Sequence, residues 1–331
     1  MKKNFPITIL FLILFSSCKK ELIVLEPINH LKEFSKTEKQ TFDLDTLDFY
    51  RIEGKYGTEI IFIRDAFEVQ KGEKIIAELK EIYDFNELLF NNINTITVDN
   101  ELLESSGVIY LDFKTKDKSI SLKNGKSLQV YFPEGVLDNN DLYTATLNEF
   151  NQFKWEEEEQ LDTIYPIHRG GGIFVDEIVS KDSIEYYKKN NQESFGRERF
   201  DDLLGRVDSI VNNRYSTFGL FKNIGWINVD LIVEPDFNLN LNLVENKGLE
   251  NLSFYVLYED LNSFLSIYRT RDSLFFEDIP IKNKTQLIII GNEKEQLYGD
   301  KIELNEINQN SSIKLNLKKM TKEEINEKLI K

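Results

Sequence analysis

Between Phe237 and Val244 the chain reads Phe-Asn-Leu-Asn-Leu-Asn-Leu-Val. Successive side chains of an extended strand point to opposite faces, so this stretch turns Phe237, Leu239, Leu241 and Leu243 inward and its asparagines outward. A helix would wrap the same leucines around its whole circumference and bury none of them efficiently. Short runs rich in Ile, Val, Leu, Tyr and Phe, several with this period of two, recur along the chain. The early ones are Gly57–Ile63, Lys74–Tyr83, Gly107–Lys114, Lys118–Lys123 and Ser127–Pro133. The later ones are Ile224–Glu234, Ser253–Glu259, Ser263–Arg269, Thr285–Gly291 and Ser312–Lys318. In Gly107–Lys114, Val108, Tyr110 and Asp112 share one side, and Ile109, Leu111 and Phe113 the other. Short strands divided by turn residues predict antiparallel sheets of β-sandwich type. Asn124-Gly125, between Lys118–Lys123 and Ser127–Pro133, is the strongest hairpin signal. Phe85–Asn92 reads as a helical turn or a crossing loop.

The pattern breaks once in the middle. Trp155–Glu159 is a charge run of the kind that forms a solvated face, and His168–Gly172 reads as a flexible break. Asp182–Asn212 carries few strand signals. Its Phe200, Leu203, Leu204, Val207, Ile210 and Val211 recur at steps of three and four, drawing one apolar helical stripe. Near the end, Thr321 with Glu324 three residues on forms a capping box. The predicted fold class is therefore mainly β: two antiparallel β-sandwich-like domains joined by a helical connector, with a short C-terminal helix. The expected boundaries are 49–155 and 216–318 for the β-domains, 156–215 for the connector and 319–331 for the helix.

The N-terminus carries a different instruction. Met1-Lys2-Lys3-Asn4 precedes an apolar run, Phe5–Phe15, followed by Ser16, Ser17 and Cys18. A basic start, a short apolar core and small residues make a secretory signal peptide. The run is too short for a bilayer span, which takes roughly 20 residues. Phe15-Ser16-Ser17-Cys18 resembles a bacterial lipobox, with Phe15 where the pattern prefers Leu. That resemblance implies that 1–17 is removed and that Cys18 becomes the lipidated first residue. Stable anchoring takes two lipid signals, and a diacylglyceryl group with an amide-linked acyl chain exceeds that threshold. Residues 18–48 are expected to act as a tether, with a short ordered piece around Leu22–Leu25. The expected location is the cell envelope, as an outer-membrane lipoprotein whose exposed face stays open.

Cys18 is the chain's single cysteine. An exported chain of this kind has no internal disulfide framework, so its fold stands on packing. A hydrophobic content of 41% with 12% aromatic residues suffices for that. The formal charge is −16, and losing Lys2 and Lys3 with the signal peptide takes it to −18. Such a surface repels phosphate backbones and argues against nucleic acid as a partner.

Chemistry is sparse in the pattern. The two histidines, His30 and His168, stand without local metal partners. HExxH, GxSxG, Walker, GxGxxG and EF-hand patterns do not occur, and no cofactor is implied. Gly170–Gly172 lacks the Lys-Ser/Thr of a phosphate loop, and Asp138–Asp141 reads as a turn with oxygen ligands. Trp155 and Trp226 are the candidate binding residues, because aromatic side chains on a sheet can form a platform for sugars or proteins. Their apolar alternation equally fits the core. The functional expectation is non-catalytic binding or scaffolding, with an envelope protein or a glycan as partner. The alternative is an envelope hydrolase of glycans or peptides, working through carboxylates that the fold brings together.

Gly57, Thr58, Ala66, Phe67, Gly72, Glu81, Glu104, Ser105 and Gly107 fall in an order that resembles a group of Bacteroidota lipoproteins, with Val108 in place of the usual Met. Gly225–Asp230, Gly-Trp-Ile-Asn-Val-Asp, is similar to a second element of that group. The resemblance spans roughly 50–135 and 216–318. The first region also looks distantly like the non-enzymatic β-sandwich module of ankyrins and zona-occludens proteins. The resemblance implies β-sandwich domains on a lipid anchor and carries no catalytic residue.

Overall fold

A computed structural model describes residues 28–45, 49–70, 72–116, 118–124, 126–133, 141–148, 152–158, 164–169, 173–178, 217–221, 224–245, 247–249, 251–267 and 274–330. The protein is mainly β, built of several largely antiparallel sheets. Its first strands are β1 (Gln40–Leu44), β2 (Phe49–Glu53), β3 (Glu59–Ile63), β4 (Ile75–Ile82), β5 (Leu102–Thr115), β6 (Lys118–Ser119), β7 (Leu128–Phe132), β8 (Asp141–Leu147) and β9 (Phe153–Glu157). There follow β10 (Ile164–Arg169), β11 (Ile173–Ile178), β12 (Thr217–Phe221), β13 (Gly225–Val233), β14 (Phe237–Val244), β15 (Asn251–Tyr258) and β16 (Ser263–Ile267). The last are β17 (Phe275–Ile281), β18 (Thr285–Glu293), β19 (Gln296–Glu303), β20 (Ser311–Lys314) and β21 (Lys318–Met320). Helix α1 (Phe85–Phe90) follows β4, and α2 (Lys322–Ile325) closes the chain with a π turn.

The largest sheet runs β1-β4-β5-β13-β8-β9, with β6 alongside β5. One face, carrying Ala77, Leu79, Ile109, Leu111, Phe113, Ile227 and Val229, meets Ile52, Ile60, Phe62, Leu128, Val130 and Phe132 of the sheet β12-β7-β3-β2. Phe113 centres this core, with Phe67 at 4.6 Å and Phe62 edge-on at 5.0 Å. A second core lies between β17-β14-β20 and β16-β15-β18-β19-β21. There the inward leucines 239, 241 and 243 meet Leu252, Phe254 and Val256 of β15. Within these sheets only β14 and β20 pair in parallel.

The two cores are joined by a third. Tyr255, Leu257, Ile288 and Ile290, on the far face of β15 and β18, pack with Ile82, Val108, Tyr143 and Trp155 on the far face of the largest sheet. Leu88, Leu89 and Phe90 of α1 belong to the same cluster. Asp84 caps α1, accepting from Asn86 N at 2.8 Å, and this starts a helix too short to persist alone. The segment Asn92–Thr97 seals the joint. Thr95 N donates to Phe264 O at 3.1 Å, and Phe264 N donates to Thr95 Oγ1 at 2.9 Å. Ser266 N donates to Asn94 Oδ1 and Gln152 Nε2 to Ser266 O, both at 2.9 Å.

The strand readings and the capping box appear as expected in outline. Thr321 Oγ1 accepts from Glu324 N at 3.2 Å, while Glu324 Oε2 accepts from Thr321 N at 3.0 Å. Asn124-Gly125, however, does not close a hairpin. β6 turns back on β5 through Lys116, at φ +55°, and β7 pairs with β3 and β12 instead. Between them Leu122 bridges Phe67 and Lys123 N donates to Ala66 O at 2.8 Å. The chain therefore crosses from one sheet to the other between β6 and β7. β12 and β13, expected in the second β-region beginning at 216, pair with β7, β5 and β8 of the first. Within 156–215, expected to be connector, Ile164–Arg169 and Ile173–Ile178 pair antiparallel as β10 and β11. Asp182–Asn212 lies outside the described residues. The expected tether 18–48 is already part of the packed body from Ile28 onward: Leu31 is fully buried and β1 pairs with β4.

Thr58, Glu81 and Gly107 come together at the β2–β3 turn and the Tyr83 ring. Buried Glu81 accepts from Thr58 N at 2.9 Å, Tyr56 N at 3.1 Å and Gln40 Nε2 at 2.6 Å, which pins the β2–β3 turn. Thr58 Oγ1 and the Tyr83 hydroxyl are 2.7 Å apart. The Tyr83 ring lies over Gly107, where a Cβ would stand 2.2 Å from the ring at φ +153°. Gly107→Ala is expected to lose about 2–3 kcal/mol, from overpacking together with backbone strain. Gly72→Ala, at φ +83° with open space around it, should lose about 1–2 kcal/mol from strain alone. Urea denaturation of the two variants tests the ranking.

Candidate functional site

The far face of the largest sheet has two halves. One is covered by the joint just described. On the other, register places Lys80 of β4 opposite Tyr110 of β5, and Tyr110 opposite Trp226 of β13. Opposed residues in an antiparallel pair share a face, so the three side chains form a row across the sheet. The Tyr110 and Trp226 rings are 5.0 Å apart at 52°, and Phe153 meets Trp226 edge-on at 5.4 Å. Leu147, opposite Phe153, is 59% exposed and extends the apolar surface to the sheet's margin. Tyr110, Trp226 and Phe153 are each partly exposed.

Lys80 Nζ lies 5.7 Å from both the Tyr110 and the Trp226 ring. These are attractive cation–π contacts. Among the described residues it has no carboxylate partner, so its charge stays available above the rings. The next row is different. Glu78 and Asp112 are opposed, and Lys114 bridges them at 2.7 and 3.4 Å, while Lys39 reaches Glu78 at 2.8 Å. Hydrogen bonds from Lys114 and Lys39 hold the Glu78 carboxyl below its usual range. Ser119 Oγ donates to Asp112 Oδ2 at 3.1 Å. These two cations and two anions satisfy one another, which leaves Lys80 and the rings as the part of the face with interactions to spare.

Trp155 sits on the same face and has the opposite character. It is fully buried, and its Nε1–H donates to Asn94 O at 2.5 Å. It offers no surface to a ligand and instead locks the joint. Phe153 stacks on it at 6.0 Å and 26°, linking the open half to the closed one. Tyr110 was legible in the alternation that put it with Val108 and Asp112. Lys80 and Phe153 were not singled out in the sequence, because only register brings them beside Trp226.

The element Gly225–Asp230 runs between the two halves, since Trp226, Asn228 and Asp230 share the face. Asn228 and Asp230 are fully buried. Asn228 Nδ2 donates to Asp230 Oδ2, and Ser106 N donates to Asp230 Oδ1 at 3.3 Å. Burial outweighs these bonds and pushes the Asp230 carboxyl up to about 8. Asp141 is opposed to Asp230 in the register, and nearby Glu104 adds to the same upward shift.

His168 lies in β10 opposite Phe174. His30 is partly buried, and burial lowers its pKa. Cys18 and residues 138–140 lie outside the described residues, and Asp141 opens β8. Among the described residues no three of His, Cys, Asp and Glu gather in a way that could hold a metal ion. No helix among them is long and apolar enough to cross a membrane.

The folded state keeps on Asp230 a proton that the unfolded chain releases above its ordinary value of 3.8. The resulting stability is fully present below that value and is lost as pH rises through about 8. Asp230→Asn carries no such proton. The native protein should lose stability relative to this variant between pH 5 and 9. Denaturant midpoints of the two at pH 5, 7 and 9 test this, and parallel curves would refute it.

No family model, curated protein or solved structure matches this chain.

Proposed function

We propose that the chain is a lipid-anchored protein of the cell envelope that binds or scaffolds without catalysis. It is held at the outer membrane through Cys18 and contacts an envelope partner, a glycan or a protein, through the Lys80–Tyr110–Trp226–Phe153 face. The body in this reading consists of two β-sandwich domains, one around each of the first two cores, with a helical connector in the region of Asp182–Asn212. Kinship with Bacteroidota lipoproteins belongs to the same proposal. Its motif residues Glu81, Gly107 and Asp230 act as scaffold, while Trp226 faces the partner.

The observation that carries the reading is the row of rings beside Lys80, a cation with no carboxylate partner among the described residues. Aromatic faces stack on the apolar face of a sugar ring or accept apolar side chains, and tryptophan and tyrosine dominate binding energy where they anchor interfaces. A strand scaffold holds them rigidly, which lowers the ordering cost of binding. The lipid anchor keeps such a surface at high local concentration beside envelope polymers and proteins.

Two experiments test the proposal. Intact mass and membrane partition of the native chain should show a start at Cys18 with added acyl mass, and Cys18→Ala should abolish both. A native chain that is soluble and cut elsewhere would overturn the anchor. Separately, crosslinking on intact cells and binding to isolated envelope glycans should lose more than tenfold in yield or affinity with Trp226→Ala. Lys114→Ala, in the self-satisfied neighbouring row, should change either by less than threefold.

A further inference from the structure

Where the described chain begins, it runs along the wall of a groove of about 660 Å³. Ile28 and Leu297 supply its apolar floor, and His30, Lys32, Lys322 and Glu295 stand around them. The entry point is firmly held. Ser253 Oγ donates to Ile28 O at 2.6 Å, Asn29 Nδ2 donates to Phe90 O at 2.9 Å, and Leu31, two residues on from Asn29, is fully buried. Ile28 itself is 47% exposed, facing a groove that no described residue fills.

The residues immediately upstream are Glu21-Leu22-Ile23-Val24-Leu25-Glu26-Pro27. Four consecutive apolar side chains sit between two acids in a stretch otherwise rich in charge. A tether needs no such run, and exposed it would be a liability. Leu25 is three residues from Ile28 and Leu22 is six, so at roughly 3.3–3.6 Å per residue they reach about 10 and 20 Å from the groove's wall. Lys32 is exposed and, among the described residues, pairs with no carboxylate, while Lys322 pairs with Glu33 at its edge. Glu33 and Glu295 also line the groove and Glu33 holds Lys322, which leaves Lys32 as the lining cation able to meet an acid that flanks the apolar run.

We propose that this groove is the seat of the chain's own segment Leu22–Leu25, which lays its apolar side chains over Ile28 and Leu297 with a flanking acid, Glu21 or Glu26, toward Lys32. The docking makes no demand on Cys18. One consequence rests on the lipid-anchor reading: only Lys19–Glu21 then separate the lipidated residue from the docked run. That is roughly 10 Å of chain, which holds the groove face against the membrane.

The native sequence contains no cysteine other than Cys18, so the full chain with Cys18→Ala is a clean background for engineered pairs. Ile23→Cys combined with Leu297→Cys should form an intramolecular disulfide at least tenfold faster than Ile23→Cys combined with Leu147→Cys. Equal rates would overturn the proposal, as would disulfide-linked dimers, which would assign the groove to a second copy. Amide exchange covers the case in which a cysteine variant folds poorly. In the Cys18→Ala chain, residues 22–25 should exchange at least tenfold slower than an unstructured peptide of the same sequence. Leu297→Glu should remove that protection while β15 and β18 stay protected. Unprotected residues 22–25 in the Cys18→Ala chain would overturn the docking. Membrane partition of the native chain decides the anchor independently, so the two readings fail separately.

Discussion

The architecture depends on one short polar strip, Asn92–Thr97, and on the tryptophan it receives. Trp155 is the largest fully buried side chain among the described residues and satisfies its one donor on Asn94 O. The same strip donates to and accepts from β16 through Thr95 and Asn94. Buried polar groups cost free energy unless paired, so these bonds work only at one relative placement of the two sheet systems. Apolar contact through Tyr255, Leu257, Ile288 and Ile290 supplies attraction, and the strip supplies the register.

That joint explains why a single sheet face has two chemistries. Where the second sheet system and α1 cover it, the face carries Ile82, Val108, Tyr143 and Trp155. Where nothing described covers it, the face turns to Lys80, Tyr110, Glu78, Asp112 and Lys114. Strand β13 spans both conditions. Its Trp226 lies at the open end and its Asp230 at the closed end, where the carboxyl keeps its proton because water is excluded. A contiguous aromatic surface next to a rigid buried joint is well placed for recognition, since the rings cannot move away from a partner without disturbing the packing beneath.

Local pattern predicted about half of the strands, β3–β7, β13–β16, β18 and β20, because side-chain alternation is a local property. It also placed Val108, Tyr110 and Asp112 together, and it put the leucines of β14 inward, where they line the second core. It failed at pairing. Asn124-Gly125 carries strong turn chemistry, yet a turn specifies a change of direction and not the identity of the partner strand. Lys118–Lys123 leaves β5 after two residues because Leu122 and Lys123 are captured by Phe67 and Ala66 across the core. β12 and β13 fall in the first sheet system for the same reason. The edge of β7 and the gap between β5 and β8 are completed by strands far downstream, with partners as distant in sequence as Leu102 and Val233, a separation that no local pattern encodes.

By itself the sequence determined that the chain folds largely as strands and that it does so without internal disulfides, and it supplied an N-terminal stretch that resembles a lipoprotein signal. Each follows from residue type and short-range spacing. The tertiary structure decided which strands pair, which tryptophan is sealed and which is open, and that Lys80 lies over two rings with no carboxylate partner among the described residues. These are outcomes of register and burial. They depend on which distant segments compete for the same hydrogen bonds and the same apolar surface, and that competition is settled only when the whole chain is packed.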